Sequence, residues 1–229
     1  MPVCTGPEGA SVHSGDQQLK VHPLPDCFEK RYGKIPPVIY VRECYRDLYE
    51  TASASMLIKQ ASAATLFTGV PGIGKSLFMV YFIYRFLHDD RFEDKCFAVE
   101  FDKGKYELFR PTANTNPTEF SCTEVSSGSM QHENFLLLCD ISDAVGPAAR
   151  AKWTFIFSSP NKLRYKEMCK NYPSYKYTMP TWSEEELMFV YSNRNEWYEN
   201  FVRYGGVPRF VMHNRGDMED AFNERWSHR

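Results

Sequence analysis

The feature that most constrains this chain is a glycine-rich segment, Gly69-Val70-Pro71-Gly72-Ile73-Gly74-Lys75-Ser76, that lies between two apolar runs. The run before it, 64–68, reads as a short buried strand, and the run after it, 76–88, is apolar on almost every side, as in a buried helix. The spacing GxxxxGK[ST] between a strand and a helix is typical of a phosphate-binding Walker A loop. Because glycines let the backbone N–H groups turn inward and a helix N-terminus attracts anions, this segment predicts a nucleoside triphosphate site.

Individual roles follow from that pattern. Lys75 would reach the β- and γ-phosphates, and the Ser76 hydroxyl would bind magnesium. Asp140 ends the apolar run 135–139, the form of a Walker B strand, and would orient the magnesium and its waters. The predicted cofactors are therefore ATP and Mg²⁺, with Ser76 and Asp140 at the metal. The predicted nucleotide-binding residues are Gly69, Val70, Pro71, Gly72, Ile73, Gly74, Lys75, Ser76 and Leu77.

The sequence indicates less clearly which residue would activate a water molecule for hydrolysis of the nucleotide. Many ATPases with a Walker A loop and a Walker B strand have a glutamate directly after the Walker B aspartate, but this chain has Ile141 at that position. We expect Asp143 to act as the base, with Glu100 and Asp102 as alternatives at the end of another strand. A solvated loop carboxylate is an equally open interpretation of Asp143.

Two further polar residues are predicted to respond to the nucleotide. Ser158 closes the apolar run 153–157 and would read the γ-phosphate, unless it only stabilises a turn before Pro160. Arg209 follows Gly205-Gly206 at a helix start and would report the nucleotide state to the C-terminal part. A salt-bridged surface arginine is the open alternative there.

Adenine is predicted as the base by elimination. The segment Asn161-Lys162-Leu163-Arg164 resembles the guanine-reading NKxD pattern, but its fourth residue is an arginine. The carboxylate that would accept from the guanine N–H groups is therefore missing.

The apolar runs predict an α/β fold. Continuous apolar strands over 96–101, 135–139, 153–157 and 175–179 indicate a parallel sheet buried on both faces, the core of a three-layer domain. We predict a loose N-terminal arm over 1–36, a core over 37–180 and a helical subdomain over 181–229. The polar stretch 111–134 is predicted to be a flexible insertion or a poorly formed crossover. Helices are predicted over 42–60, 183–191, 194–204 and, with breaks, 207–225.

Charge and cysteine content narrow the function classes. A net charge of −2 argues against a strongly basic nucleic-acid binder. No apolar run is long enough to span a bilayer, so no membrane association is predicted. The start of the chain lacks the apolar segment of a secretory signal. Seven cysteines without a CxxC pair predict reduced thiols and an intracellular protein.

Several sequence segments together resemble the NTPase domain shared by crinkler effectors and retrotransposon hot spot proteins. They are Val41-Arg42-Glu43-Cys44-Tyr45-Arg46-Asp47-Leu48-Tyr49, the segment Phe67–Ser76, Phe155-Ile156-Phe157-Ser158-Ser159-Pro160, Met179-Pro180-Thr181-Trp182-Ser183-Glu184-Glu185-Glu186-Leu187 and Gly205-Gly206-Val207-Pro208-Arg209. The resemblance covers about residues 37–215. It implies a P-loop ATPase of the AAA/STAND-like type with a small C-terminal helical subdomain.

The same resemblance bears on location and partners. Its members often join this domain to a nuclease-like or kinase-like domain, and the effectors act in host nuclei. It therefore implies DNA as a partner and a nuclear or cytoplasmic location, with secretion as an effector. We expect this chain to depart from that pattern, because no N-terminal secretion and translocation segment is recognised in the sequence and little of it follows the helical part.

Three functions are consistent with the sequence. The first is an ATP-driven switch module that acts on an unknown protein partner. The second is a nucleotide-binding interaction protein with little turnover, which Ile141 would explain. The third is a small-molecule or nucleotide kinase with Arg110, Arg150 and Arg164 as lid residues.

Overall fold

The structure is a computed structural model that describes residues 18–20, 38–58, 63–92, 96–102, 105–111, 120–126, 135–140, 151–160, 174–191 and 197–211. The chain divides into two compact units, Met1–Arg42 and Glu43–Arg229. In the first unit, β1 (Gln18–Lys20) pairs antiparallel with β2 (Val38–Tyr40). The described part of the predicted N-terminal arm is thus the strand β1, and β2 follows the arm.

The second unit carries the core. Its described elements are α1 (Glu43–Ile58), β3 (Ala63–Thr68), α2 (Lys75–Leu87), β4 (Phe97–Asp102), β5 (Lys105–Pro111), β6 (Phe120–Ser126), β7 (Leu136–Asp140), β8 (Trp153–Ser158), β9 (Ser174–Thr178), α3 (Glu184–Tyr191), α4 (Trp197–Tyr204) and α5 (Pro208–Val211). Each apolar run of the sequence forms its predicted element, with ends that differ by at most three residues. The predicted helix over 207–225 begins as α5, and its remainder lies outside the described residues.

The second unit is built on a seven-stranded sheet in the order β6-β5-β4-β7-β8-β3-β9. Strands β4, β7, β8, β3 and β9 are parallel to their neighbours in this order. Strands β5 and β6 continue the sheet antiparallel beyond β4. The fold is therefore α/β with a mostly parallel sheet.

The antiparallel edge corrects the prediction of a purely parallel sheet, and β6 lies within the predicted flexible insertion. Its described side chains, 121–124, are all exposed. Strand β6 is held by its backbone pairing with β5, and its described side chains form no buried apolar face that a hydrophobic pattern could have indicated.

Apolar side chains cover both faces of the parallel strands. On one face, Phe67 of β3 contacts Phe78 and Phe82 of α2 with ring centroids 5.0 and 6.4 Å apart. Leu66 and Ile156, which point to the opposite face, are 1% and 0% exposed. A sheet that is buried on both faces is compatible with a three-layer α/β fold.

The predictions about the cysteines and about membrane spans can both be compared with the described residues. Among the described residues, the cysteines Cys44, Cys96, Cys122 and Cys139 form no disulfide bond. None of the described helices is long and apolar enough to cross a membrane. The longest described helix, α1, has 16 residues, whereas about 20 apolar residues span the hydrocarbon core.

Helix α2 is held against the sheet by α1. Tyr49 of α1 is buried, contacts Phe82 at 4.8 Å between ring centroids, and donates a 2.7 Å hydrogen bond to Asp89 beyond the end of α2. Arg91 binds the same carboxylate, with Nε 2.8 Å from Oδ1. The hydrogen bonds from Arg91 and Tyr49 hold the pKa of Asp89 well below its usual range, although partial burial opposes them.

This carboxylate predicts a pH-dependent contribution to stability. The folded-state pKa of Asp89 is below its unfolded value of about 3.9, so the unfolded chain binds more protons in acid and stability falls below about pH 4. We expect Asp89→Asn to lower the free energy of unfolding by about 1–2 kcal/mol at pH 7 because it weakens these bonds, and to flatten the acid slope. Urea unfolding from pH 7 to pH 3 measures both, with exposed Asp90→Asn as the control. An unchanged acid slope in Asp89→Asn would contradict the assignment.

Candidate functional site

The polar ends of three neighbouring parallel strands meet at one edge of the sheet. Strand β3 ends at Thr68, β7 at Asp140 and β8 at Ser158, and β8 lies between the other two. The glycine-rich segment 69–76, here called the glycine-rich loop, leaves β3 at this edge and leads into α2. Ligands of open α/β sheets bind outside the carboxyl ends of the strands, so this edge is the candidate site.

The glycines of the loop leave little room for a side chain. Gly74 adopts φ +99°, in the left-handed region, and a Cβ there would lie 2.6 Å from the Tyr45 hydroxyl oxygen. A Cβ on Gly69 would lie 2.4 Å from Ile73 Cδ1 and 3.0 Å from the Met179 carbonyl oxygen. The loop is thus closely enclosed by α1 and by the segment after β9, and its glycines are required by this packing.

The loop delivers the uncapped start of α2 to the same place. Gly74 occupies the N-cap position without a side-chain hydrogen bond, and the first turn contains no acidic residue. The first intrahelical bond runs from the Phe78 amide to the Gly74 carbonyl at 2.9 Å. The amides of the first turn therefore have no side-chain cap, and together with the helix dipole they favour an anion.

Ser76 and Asp140 meet at this helix start. The Ser76 hydroxyl donates a 2.7 Å hydrogen bond to Asp140 Oδ2, although the two residues are 64 positions apart in the chain. Asp140 can reach α2 because it pairs in register with Phe157, whose ring contacts Phe78 of that helix. A hydroxyl and a carboxylate are hard oxygen donors, so this pair fits the magnesium ion predicted from the sequence.

Lys75 lies across the loop from which it extends. Its Nζ donates hydrogen bonds of 2.8 and 3.1 Å to the carbonyl oxygens of Gly69 and Val70. The ammonium group is therefore at the mouth of the loop and is partly exposed. Val70 and Pro71 form the outer part of the loop, and Leu77 follows Ser76 in the first turn of α2.

Two buried hydroxyls lie beside the loop at the strand ends. Ser158 and Thr68 pair in register between β8 and β3 and are 1% and 2% exposed. Neither hydroxyl oxygen has a hydrogen-bond partner in the described structure. Ser158, which is predicted to contact the γ-phosphate, therefore lies at a strand end between β3 and β7 with an unused polar atom.

The predicted water-activating residues are only partly described. Glu100 is buried and pairs in register with Cys139, so it lies on the sheet face opposite to Asp140. Asp102 ends β4, but its side chain is outside the described part of the chain. Asp143, the segment 161–164 and the lid candidates Arg150 and Arg164 are also outside the described residues, whereas Arg110 is an exposed residue of β5.

The C-terminal segments reach the glycine-rich loop. A Cβ on Gly72 would lie 2.7 Å from Arg209 Cβ and 3.3 Å from Arg209 Nε, so the side chain of this arginine covers Gly72. The indole Nε1 of Trp182 donates a buried 2.9 Å hydrogen bond to the Ile73 carbonyl. The backbone amide of Trp182 in turn donates to Gly206 at 2.7 Å. Arg209 is therefore close to the loop, as its predicted role requires.

Tyr45 and Trp182 also contact the glycine-rich loop, although no motif in the sequence predicts that they do. The Tyr45 hydroxyl donates a 2.9 Å hydrogen bond to the Gly74 carbonyl. Both residues lie in sequence segments on which the family resemblance rests, and that resemblance was the only feature of the sequence that indicated them. No spacing rule could place them, because they are 29 and 109 positions from their partners in the loop.

Comparisons with known proteins are consistent with a crinkler-like relationship. Two proteins of Phytophthora infestans, "Crinkler effector protein 16" and "Crinkler effector protein 15", are each 26% identical to this chain, over 194 and 185 residues. The matches cover 80% and 76% of this chain but 30% and 28% of the relatives, so the chain spans less than a third of their length. No family model matches the chain, and no solved structure matches it.

Proposed function

We propose that this chain is a P-loop NTPase that binds a nucleoside triphosphate, with ATP as the predicted nucleotide, together with Mg²⁺ at the glycine-rich loop and hydrolyses it. The observation that carries the proposal is the 2.7 Å hydrogen bond between Ser76 and Asp140. It brings a Walker A hydroxyl and a Walker B carboxylate together beside an uncapped helix N-terminus, which is the donor set of a magnesium–nucleotide site.

Each loop residue then has a defined task. The loop amides and the start of α2 bind the phosphate oxygens, and the Lys75 ammonium exchanges the Gly69 and Val70 carbonyls for the β- and γ-phosphates. Ser76 and Asp140 would hold the magnesium ion, with Asp140 orienting the Ser76 hydroxyl as it does in the 2.7 Å hydrogen bond between them. Bound Mg²⁺ would neutralise the phosphate charge. The buried hydroxyl of Ser158 would donate a hydrogen bond to the γ-phosphate.

We propose further that the nucleotide acts as a switch. Arg209 and Trp182 link the loop to the C-terminal helices, so a change in the loop on binding or hydrolysis would be passed to those helices. The partner that reads this change is an unidentified protein. An effector-type role follows the names of the two similar proteins. DNA as a partner, and kinship with retrotransposon hot spot proteins, rest on resemblance of the sequence.

A second candidate is a nucleotide-binding protein with little turnover. It is favoured by Ile141 at the position of the usual glutamate and by Glu100 on the sheet face opposite to Asp140. In the proposed ATPase, Asp143 takes the role of the base.

The test is phosphate release and nucleotide affinity with ATP and GTP, in the presence of magnesium. We expect Lys75→Ala to lower turnover by about 100-fold, because it removes the charged donor to the β- and γ-phosphates. The matched control is Lys105→Ala, an exposed lysine at the start of β5. Binding by the wild-type chain without phosphate release would support the second candidate. The absence of nucleotide binding by the wild-type chain would overturn the proposal.

A further inference from the structure

Two aromatic side chains bind consecutive carbonyl groups of the glycine-rich loop. Trp182 Nε1 donates to the Ile73 carbonyl at 2.9 Å, and the Tyr45 hydroxyl donates to the next carbonyl, of Gly74, also at 2.9 Å. Both side chains are buried, with 6% and 0% of their surface exposed. They come from different parts of the fold, Tyr45 from α1 and Trp182 from the segment between β9 and α3.

These bonds determine where the loop amides point. A trans peptide group is planar, and its C=O and N–H bonds are directed to opposite sides. The described peptide bonds are all trans. Because Trp182 holds the Ile73 carbonyl, the Gly74 N–H is directed away from the indole. Because Tyr45 and the Phe78 amide both hold the Gly74 carbonyl, the Lys75 N–H is directed out of the N-terminus of α2.

A glycine-rich loop needs such external support. Glycine loses more backbone freedom on folding than any other residue, and a peptide group beside glycine rotates at little steric cost. The Tyr45 ring is rigidly seated, with its centroid 5.2 Å from that of Phe78 and 5.9 Å from that of Tyr81. A donor on a rigid ring can therefore orient a flexible peptide group before any ligand binds.

We propose that Tyr45 and Trp182 are positioning residues that hold the Ile73–Gly74 and Gly74–Lys75 peptide groups with their N–H bonds toward a bound polyphosphate. The inference rests on the proposed function and deepens it. It assigns part of the nucleotide affinity to two side chains that touch no nucleotide, one of which is also bonded to Gly206 near the C-terminal helices.

The experiment compares Tyr45→Phe and Trp182→Phe with two matched controls. Tyr49→Phe removes a buried hydroxyl from the same helix, but its partner is Asp89 at the far end of α2. Trp153→Phe removes a buried indole N–H that has no hydrogen-bond partner in the described structure. Affinities for Mg–ATP and for inorganic triphosphate are measured by calorimetry, and the urea midpoint of every variant is measured alongside.

We expect Tyr45→Phe and Trp182→Phe each to weaken both ligands by about threefold to tenfold, because each loses one orienting hydrogen bond. Tyr49→Phe should lower the urea midpoint about as much as Tyr45→Phe and Trp182→Phe do, but it should leave both affinities within about twofold of the wild-type values. Affinities that follow the urea midpoint in all four variants, or that stay at the wild-type value in Tyr45→Phe and Trp182→Phe, would overturn the inference while the proposed function stands. A wild-type chain that binds neither ligand would overturn the proposed function and this inference with it.

Discussion

Replacing Asp140 by asparagine is expected to remove most of the gain in nucleotide affinity that magnesium provides, while affinity in the absence of magnesium changes little. The substitution keeps the size of the side chain and its acceptor for the Ser76 hydroxyl, which lies 2.7 Å from Asp140 Oδ2. It removes the negative charge that would orient the metal and its waters. Outer partners of metal ligands contribute about tenfold to 100-fold to affinity, so a loss of that size is expected for Mg–ATP.

Titrations with ATP in magnesium and in EDTA separate the two effects. Asp90→Asn is the control, because Asp90 is an exposed carboxylate beyond the opposite end of α2. Ser76→Ala should reproduce the loss, since it removes the hydroxyl from the same pair. Equal losses with and without magnesium in Asp140→Asn would contradict a metal role and assign Asp140 to the shape of the loop.

The substitution Gly206→Ala is expected to destabilise the fold by about 3 kcal/mol and to weaken nucleotide binding. A Cβ at this position would lie 1.8 Å from the Trp182 carbonyl oxygen and 2.9 Å from its amide nitrogen. These are backbone atoms, so no side-chain rotation relieves the overlap and the two segments must separate. Their separation would break the Trp182–Gly206 hydrogen bond and displace the indole from Ile73.

The neighbouring Gly205 supplies the control. A Cβ there has no heavy atom within 4 Å, but Gly205 adopts φ +74°, so Gly205→Ala should cost about 1 kcal/mol through backbone strain alone. Urea unfolding and Mg–ATP titration of both variants make the comparison. If Gly206→Ala is no less stable than Gly205→Ala, or binds nucleotide as the wild-type chain does, the contact between Trp182 and Gly206 does not support the loop.

Local sequence patterns were sufficient to predict an element whenever the pattern that determines it lies within one segment of the chain. The apolar strand before the glycines and the apolar helix after them form β3 and α2 within a residue of the predicted bounds. The helix predicted over 183–191 begins with a capping box, in which Glu186 N donates to Ser183 Oγ at 3.2 Å and Ser183 N donates to Glu186 Oε2 at 3.0 Å. In contrast, neither β5 nor β6 was predicted from the sequence, so the antiparallel edge of the sheet was not expected.

The sequence by itself determined that a strand, a glycine-rich loop and a buried helix follow one another, and that Ser76 and Asp140 are candidates for one metal site. It did so because the spacing of glycines and the apolar period of an element are properties of a single segment. Only the tertiary structure decided which distant groups meet at the loop. Strand order places Ser158 between Thr68 and Asp140, and chain packing brings Tyr45, Trp182 and Arg209 to consecutive parts of the loop. Such contacts depend on how whole elements stack, which no local pattern encodes.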